Sequence, residues 1–155
     1  MRVETDQNGN EYTIGDGNEL TGCKLALGQT HAVIPDGVIS IGYEAFARCT
    51  GLTTVSIPDS VTRIGKRAFA CCFALESIEI PDSVTSIGDW AFDDCTSLVS
   101  ISLPGHFTNE EIIALGLPEN CTVNRRAIMF PVQGTLDRVH LWPSKPSWHA
   151  LSNAC

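Results

Sequence analysis

Two side-chain types capable of chemistry recur at one interval in this chain. Cys49, Cys72 and Cys95 stand 23 residues apart, and so do Asp36, Asp59 and Asp82. A file of thiolates could hold a soft metal, and a file of carboxylates a hard cation. Zinc, however, needs ligands that converge from several directions, commonly from C-x2-C pairs, and the chain has no such pair. The thiols fit better as a buried column of small apolar side chains, since free Cys is among the most buried residue types. Each Asp follows a proline, where side-chain bonds to nearby backbone N–H groups make it a turn former. No metal and no cofactor is expected. Cys71-Cys72 is vicinal, and adjacent cysteines seldom bridge. Cys23, Cys121 and Cys155 stand off the repeat, and a disulfide among them stays open.

Other reactive residue types lack a pattern. His31, His106, His140 and His149 are scattered, with no paired-histidine motif. No G-x-S-x-G elbow, P-loop or dinucleotide fingerprint occurs, so no enzyme is expected. Asp6 to Asn10 superficially matches a calcium loop. Its glycine comes too early, and Gly17 stands where the bidentate glutamate belongs. Asn120-Cys121-Thr122 matches a glycosylation acceptor, relevant only in a eukaryotic secretory setting. Arg63, Lys66 and Arg67 face Asp89, Asp93 and Asp94 one period on, with Lys66 and Asp89 expected close together. Exposed pairs of this kind contribute about 0.2–1 kcal/mol, so they are expected to set stacking register. Tyr43 and Trp90 lie on the same side, where Trp90 is expected to pack beneath a neighbouring turn.

The elements that position these residues are three gapless copies of one unit, 34–56, 57–79 and 80–102. A fixed period of this length marks a solenoid. Each copy opens on Ile-Pro-Asp, and Pro ends a strand because it lacks the N–H that a ladder uses. Val38-x-x-Ile41, Val61-x-x-Ile64 and Val84-x-x-Ile87 follow as short apolar segments. Gly42, Gly65 and Gly88 come next, where a backbone conformation or close approach forbids a side chain. Ala45-Phe46, Ala68-Phe69 and Ala91-Phe92, with the Cys after them, read as one short helical turn. Each unit closes on a half-buried strand in which apolar and polar residues alternate. Stacked copies place these strands about 4.8 Å apart as a parallel sheet.

The flanks differ. Residues 1–33 read as a hairpin-like N-terminal cap, with turn signals at Asn8-Gly9 and Asp16-Gly17. Residues 103–123 read as a degenerate repeat that covers the last coil. Thr108 with Glu111 forms a capping box there, Gly116 a helix stop, and Cys121-Thr122-Val123 a returning strand. Residues 124–155 match nothing upstream, beyond a weak hairpin signal at Gln133-Gly134.

Over 155 residues the chain carries a net charge of −8, with 43% hydrophobic and 18% charged residues. This fits one folded domain and argues against nucleic acid, which needs clustered Lys and Arg. No apolar run approaches the roughly 18 residues of a membrane helix, so no membrane insertion is expected. Met1 to Asp6 is polar, which fits both an intracellular chain and one whose leader lies elsewhere.

The unit Ile-Pro-Asp-Ser-Val-Thr-x-Ile-Gly-x-x-Ala-Phe-x-x-Cys-x-x-Leu-x-x-Ile resembles the BspA-like, or Treponema pallidum type, leucine-rich repeats. The resemblance covers residues 34–102 and partly 103–123. It implies an α/β solenoid: a right-handed coil with a parallel sheet on one face and short strands and helical turns elsewhere. It also implies a bacterial or protist cell-surface or secreted setting and roles in adhesion and protein binding. No ligand-specific residues transfer from it. The residues themselves offer the exposed strand positions Thr54, Ser56, Ser77, Glu79, Ser100 and Ser102 as a binding face for a protein or glycan. Thr53, Glu76 and Val99 lie beside them. The other reading is a structural spacer, or a fragment of a larger surface protein, without a ligand of its own.

Overall fold

Strands as short as these cannot bury their inner side chains alone, and stacking neighbouring copies supplies the missing partner surface. The computed structural model describes residues 1–127. Cys155 and the hairpin expected at Gln133-Gly134 lie outside the described residues.

The chain begins as an antiparallel meander of β1 (Arg2–Thr5), β2 (Glu11–Ile14) and β3 (Glu19–Lys24). It then winds into coils that each contribute to two rows of strands. One row holds β4 (His31–Val33), β6 (Thr54–Ser56), β8 (Ser77–Glu79), β10 (Ser100–Leu103) and β11 (Thr122–Arg125). Pairing within it is parallel, between β4 and β6, β8 and β10, and β10 and β11. The other row joins β3 to β5 (Ser40–Ile41), β7 (Arg63–Ile64) and β9 (Ser86–Ile87), also in parallel. The first rung, His31–Val33, lies within the stretch expected to be only a cap.

Identical positions stack as the period requires. Phe46, Phe69 and Phe92 are fully buried, their rings 5.0 and 5.4 Å apart and nearly parallel. Leu52, Leu75 and Leu98 fill the core beside them. Cys121 falls one period after Leu98 and is buried too, so it occupies a leucine position and is not off the repeat. Turns form on the backbone: the Val38, Val61 and Val84 N–H groups donate to the Pro35, Pro58 and Pro81 carbonyls at 3.4, 3.1 and 3.1 Å.

The expected helical turn at Ala-Phe is corrected. Residues 43–48 and their counterparts are successive turns. Glu44, Arg48, Arg67, Cys71, Trp90 and Asp94 have positive φ between 53° and 62°, at the same two positions of each unit. A left-handed residue breaks the run of right-handed φ that a helix needs. The fold is therefore a β-solenoid. Among the described residues its one α-helix is α1 (Asn109–Ile113), entered through a capping box of Thr108 and Glu111. Gly116 follows with φ of 75° and packs against Trp90.

A buried polar knot ties the meander to the first coil. Asn10, fully buried, donates through Nδ2 to Asp6 and to the His31 carbonyl, both at 2.9 Å, and its Oδ1 accepts from the Ala26 N–H at 2.9 Å. Tyr12 donates its hydroxyl to Asp6 at 2.8 Å and accepts from the Val33 N–H at 2.9 Å. The Asn8 and Asn10 N–H groups also donate to Asp6, so its carboxylate is committed to four protein donors and Asp6 to Asn10 is a structural loop. Burial pushes the Asp6 carboxyl up, but the bonds from Asn10, Tyr12 and Asn8 outweigh it and leave the group below its ordinary value. A depressed carboxyl stabilises the fold above its unfolded pKa, and that contribution fades as pH falls through the folded value. Thermal unfolding is thus expected to show stability lost below about pH 4. Asp6→Asn should remove part of that acid dependence and cost about 1–3 kcal/mol at pH 7. An unchanged melting temperature at pH 7 counts against this account of the knot.

Candidate functional site

The strand row sets the geometry of the exposed face. Alternation turns Val55, Ile78 and Ile101 inward and their neighbours outward. Ser77 pairs with Ser100, and Glu79 with Ser102. Thr54 and Ser56 stand one rung earlier, where Glu76 N–H donates to the Thr53 carbonyl at 3.0 Å. The six residues thus form two files, Thr54, Ser77, Ser100 and Ser56, Glu79, Ser102. Ser56, Ser77 and Glu79 are exposed, and Thr54, Ser100 and Ser102 are half-buried.

One member of the face escaped sequence reasoning. His31 pairs in register with Thr54, and its Nδ1 lies 2.6 Å from Thr54 Oγ1. Its Nε2 lies 3.3 Å from Ser56 Oγ. The available signal was its position 23 residues before Thr54. A histidine beside a serine invites a catalytic reading. Here a hydroxyl holds the far side of the ring, where a triad places a carboxylate.

At the far end Arg126 folds back over the row. It pairs with Asp82 at 2.8 Å and donates to Ser102 Oγ at 2.7 Å and to the Ile80 carbonyl. Beside it a cleft of about 640 Å³ is lined by Ser56, Ile57, Asp59, Glu79, Asp82 and Arg126, among others. The turn aspartates therefore face solvent, and one of them holds a guanidinium.

The remaining candidates are structural. Cys72 and Cys95 thiols donate to the Phe46 and Phe69 carbonyls, each at 3.1 Å. Their close approach and burial raise the Cys72 pKa, which keeps that thiol protonated and inert. Cys23 packs beside Cys49 against the core, and this thiol neighbour together with burial pushes the Cys23 pKa up. Cys72 is not disulfide-bonded, so Cys71 and Cys72 do not bridge each other; Cys23 is likewise a free thiol. Among the outer charges, Arg67 lies 3.9 Å from the buried Asp93. Asp89 contributes its backbone carbonyl to the Arg67 N–H at 3.2 Å, so Arg67 reaches the next coil through both backbone and side chain.

Residues 23–127 match the BspA type leucine-rich repeat region in six copies. The chain belongs to the BspA-type leucine-rich repeat family. Solved leucine-rich repeat structures are similar to this chain. A leucine-rich repeat protein from Bacteroides capillosus is 28% identical over 80% of this chain and 98% of its own, with a TM-score of 0.63. One from Bacteroides ovatus is 33% identical over 74% of this chain, with a TM-score of 0.56; the match spans only 35% of that protein. The leucine-rich repeat protein of Treponema pallidum is 30% identical over 79% of this chain and 64% of its own, with a TM-score of 0.55. No curated protein matches. Among the described residues of this BspA-type chain, no helix is long and apolar enough to cross a membrane.

Proposed function

We propose that the chain is a non-catalytic binding module of a surface or secreted protein, and that it presents the β4–β11 row to a protein or glycan partner. The carrying observation is the pair of side-chain files, which recur every 23 residues and are in strand register between β8 and β10. Rigid, evenly spaced hydroxyls and a carboxylate lose little entropy on binding, which favours contact with an extended surface. The meander and the α1 unit close the two ends in this reading. The coil is right-handed, as nearly all parallel strand–crossover–strand connections are. Surface placement is part of this proposal, and the resemblance to the family supports it. The coil's few turns support the spacer reading, and one experiment separates the two.

Ser77→Arg with Ser100→Arg places two bulky cations in one file without touching the core. Capture of the protein on an array of purified extracellular-matrix proteins and glycans is expected to drop at least about ten-fold, which is a loss of roughly 1.4 kcal/mol. Circular dichroism should not change. Equal capture by both forms would overturn the strand-face reading, and capture by neither would favour the spacer.

A further inference from the structure

The β4–β11 row is broken once. Ile34 N–H donates to the Ser56 carbonyl at 3.0 Å, and Ile80 N–H to the Ser102 carbonyl at 2.9 Å. Among the described residues the equivalent bond from Ile57 to Glu79 is not formed, and β6 and β8 fall into separate sheets. The 640 Å³ cleft opens at this break, a size typical of ligand sites. Ile57 is half-exposed there, whereas Ile34 and Ile80 are buried.

The protein itself shows, one rung on, what such a strand end takes. Arg126 lays its guanidinium on three groups: the Ile80 carbonyl, the Asp82 carboxylate and the Ser102 hydroxyl. One period earlier the same three positions are Ile57, Asp59 and Glu79. All three line the cleft. The earlier site keeps the carbonyl and the carboxylate and replaces the hydroxyl with a second carboxylate. Carboxylates match the planar, two-pronged donors of arginine better than any other side-chain acceptor. Charge favours entry as well: Asp59, Glu79 and Asp82 face Arg126 alone, so the cleft stays negative after one more cation enters.

We infer that the cleft between Ile57 and Glu79 is a receptor for an arginine side chain of a protein partner. This rests on the binding reading above and names the chemistry that the partner brings. Lysine, a compact and strongly hydrated point charge, cannot make the forked contact.

The test titrates N-acetyl-L-arginine methylamide, and separately its lysine counterpart, into the isotope-labelled full chain. Saturable amide shifts are expected at Ile57, Asp59 and Glu79, with the lysine probe about ten-fold weaker. Asp59→Asn with Glu79→Gln should weaken arginine binding at least about ten-fold. Both side chains are exposed, so the fold should persist, and unchanged amide shifts elsewhere check this. Glu79→Ser rebuilds the Arg126 receptor and should bind arginine at intermediate strength. Equal binding of the two probes, or unchanged binding by the double variant, overturns the inference. The Ser77→Arg, Ser100→Arg form keeps the receptor groups. Matrix capture without an arginine response therefore sinks this inference alone, and an arginine response without matrix capture sinks the broader reading alone.

Discussion

Phe69→Ala is expected to cost about 3–5 kcal/mol, a large part of the stability of a domain this size. Phe69 is fully buried and stacks on Phe46 at 5.0 Å and on Phe92 at 5.4 Å. Its removal leaves a cavity between two coils that cannot close, because backbone bonds hold them at a fixed step. Phe46 N–H donates to Ala68 and Phe69 N–H to Ala91, at 2.7 and 2.8 Å. In a repeat protein each unit contacts only its neighbours, so a lesion in the middle coil weakens two interfaces at once. Phe46→Ala and Phe92→Ala each remove one ring contact from the same file and should cost less. Urea unfolding followed by circular dichroism gives the comparison. The Phe69 variant should also unfold over a broader range as coupling between the halves fails. Equal costs for all three variants would show that burial alone sets the energy and that stacking adds nothing.

Some features of this fold were legible in the sequence because they are periodic. The phenylalanine, glycine and cysteine columns recur at one spacing, and stacking follows from that spacing alone. The capping box at Thr108 was legible because its two residues signal each other locally. The left-handed turns were not. Glu44, Arg48, Trp90 and Asp94 carry no glycine-like mark, and the close packing of coils overrides their intrinsic preference. The first rung at His31–Val33 was missed because its residues do not repeat the leucine pattern, although its register is the same. In the candidate site, alternation told which strand residues face outward. It could not tell that the ladder opens between β6 and β8, since a missing bond leaves no residue to read. Nor could it place Arg126, which lies past the last clear repeat and acts on Asp82, 44 residues away.

Gly65→Ala is expected to destabilise the protein by about 3 kcal/mol or more, through contact with backbone rather than strain in φ. A Cβ at Gly65 would meet the Gly42 carbonyl carbon at 2.8 Å, the Tyr43 nitrogen at 2.9 Å and the Ile41 oxygen at 3.0 Å. None of these atoms can swing away as a side chain could. Gly65 N–H also donates to the Ile41 carbonyl at 2.7 Å, so relief of the clash stretches a ladder bond. Gly88 is tighter still: a Cβ added there would lie 2.3 Å from the Lys66 nitrogen. The glycine column therefore sets how closely successive coils approach. That step also fixes the spacing of the two side-chain files on the other row. Gly51→Ala is the control: its Cβ would meet only the Gln29 oxygen, at 3.8 Å, and it should be neutral or slightly stabilising. Differential scanning calorimetry on the two variants decides the matter. A small effect at Gly65 would mean that the coils can slide apart without loss. The exposed files would then be too loosely spaced to act as a rigid binding face.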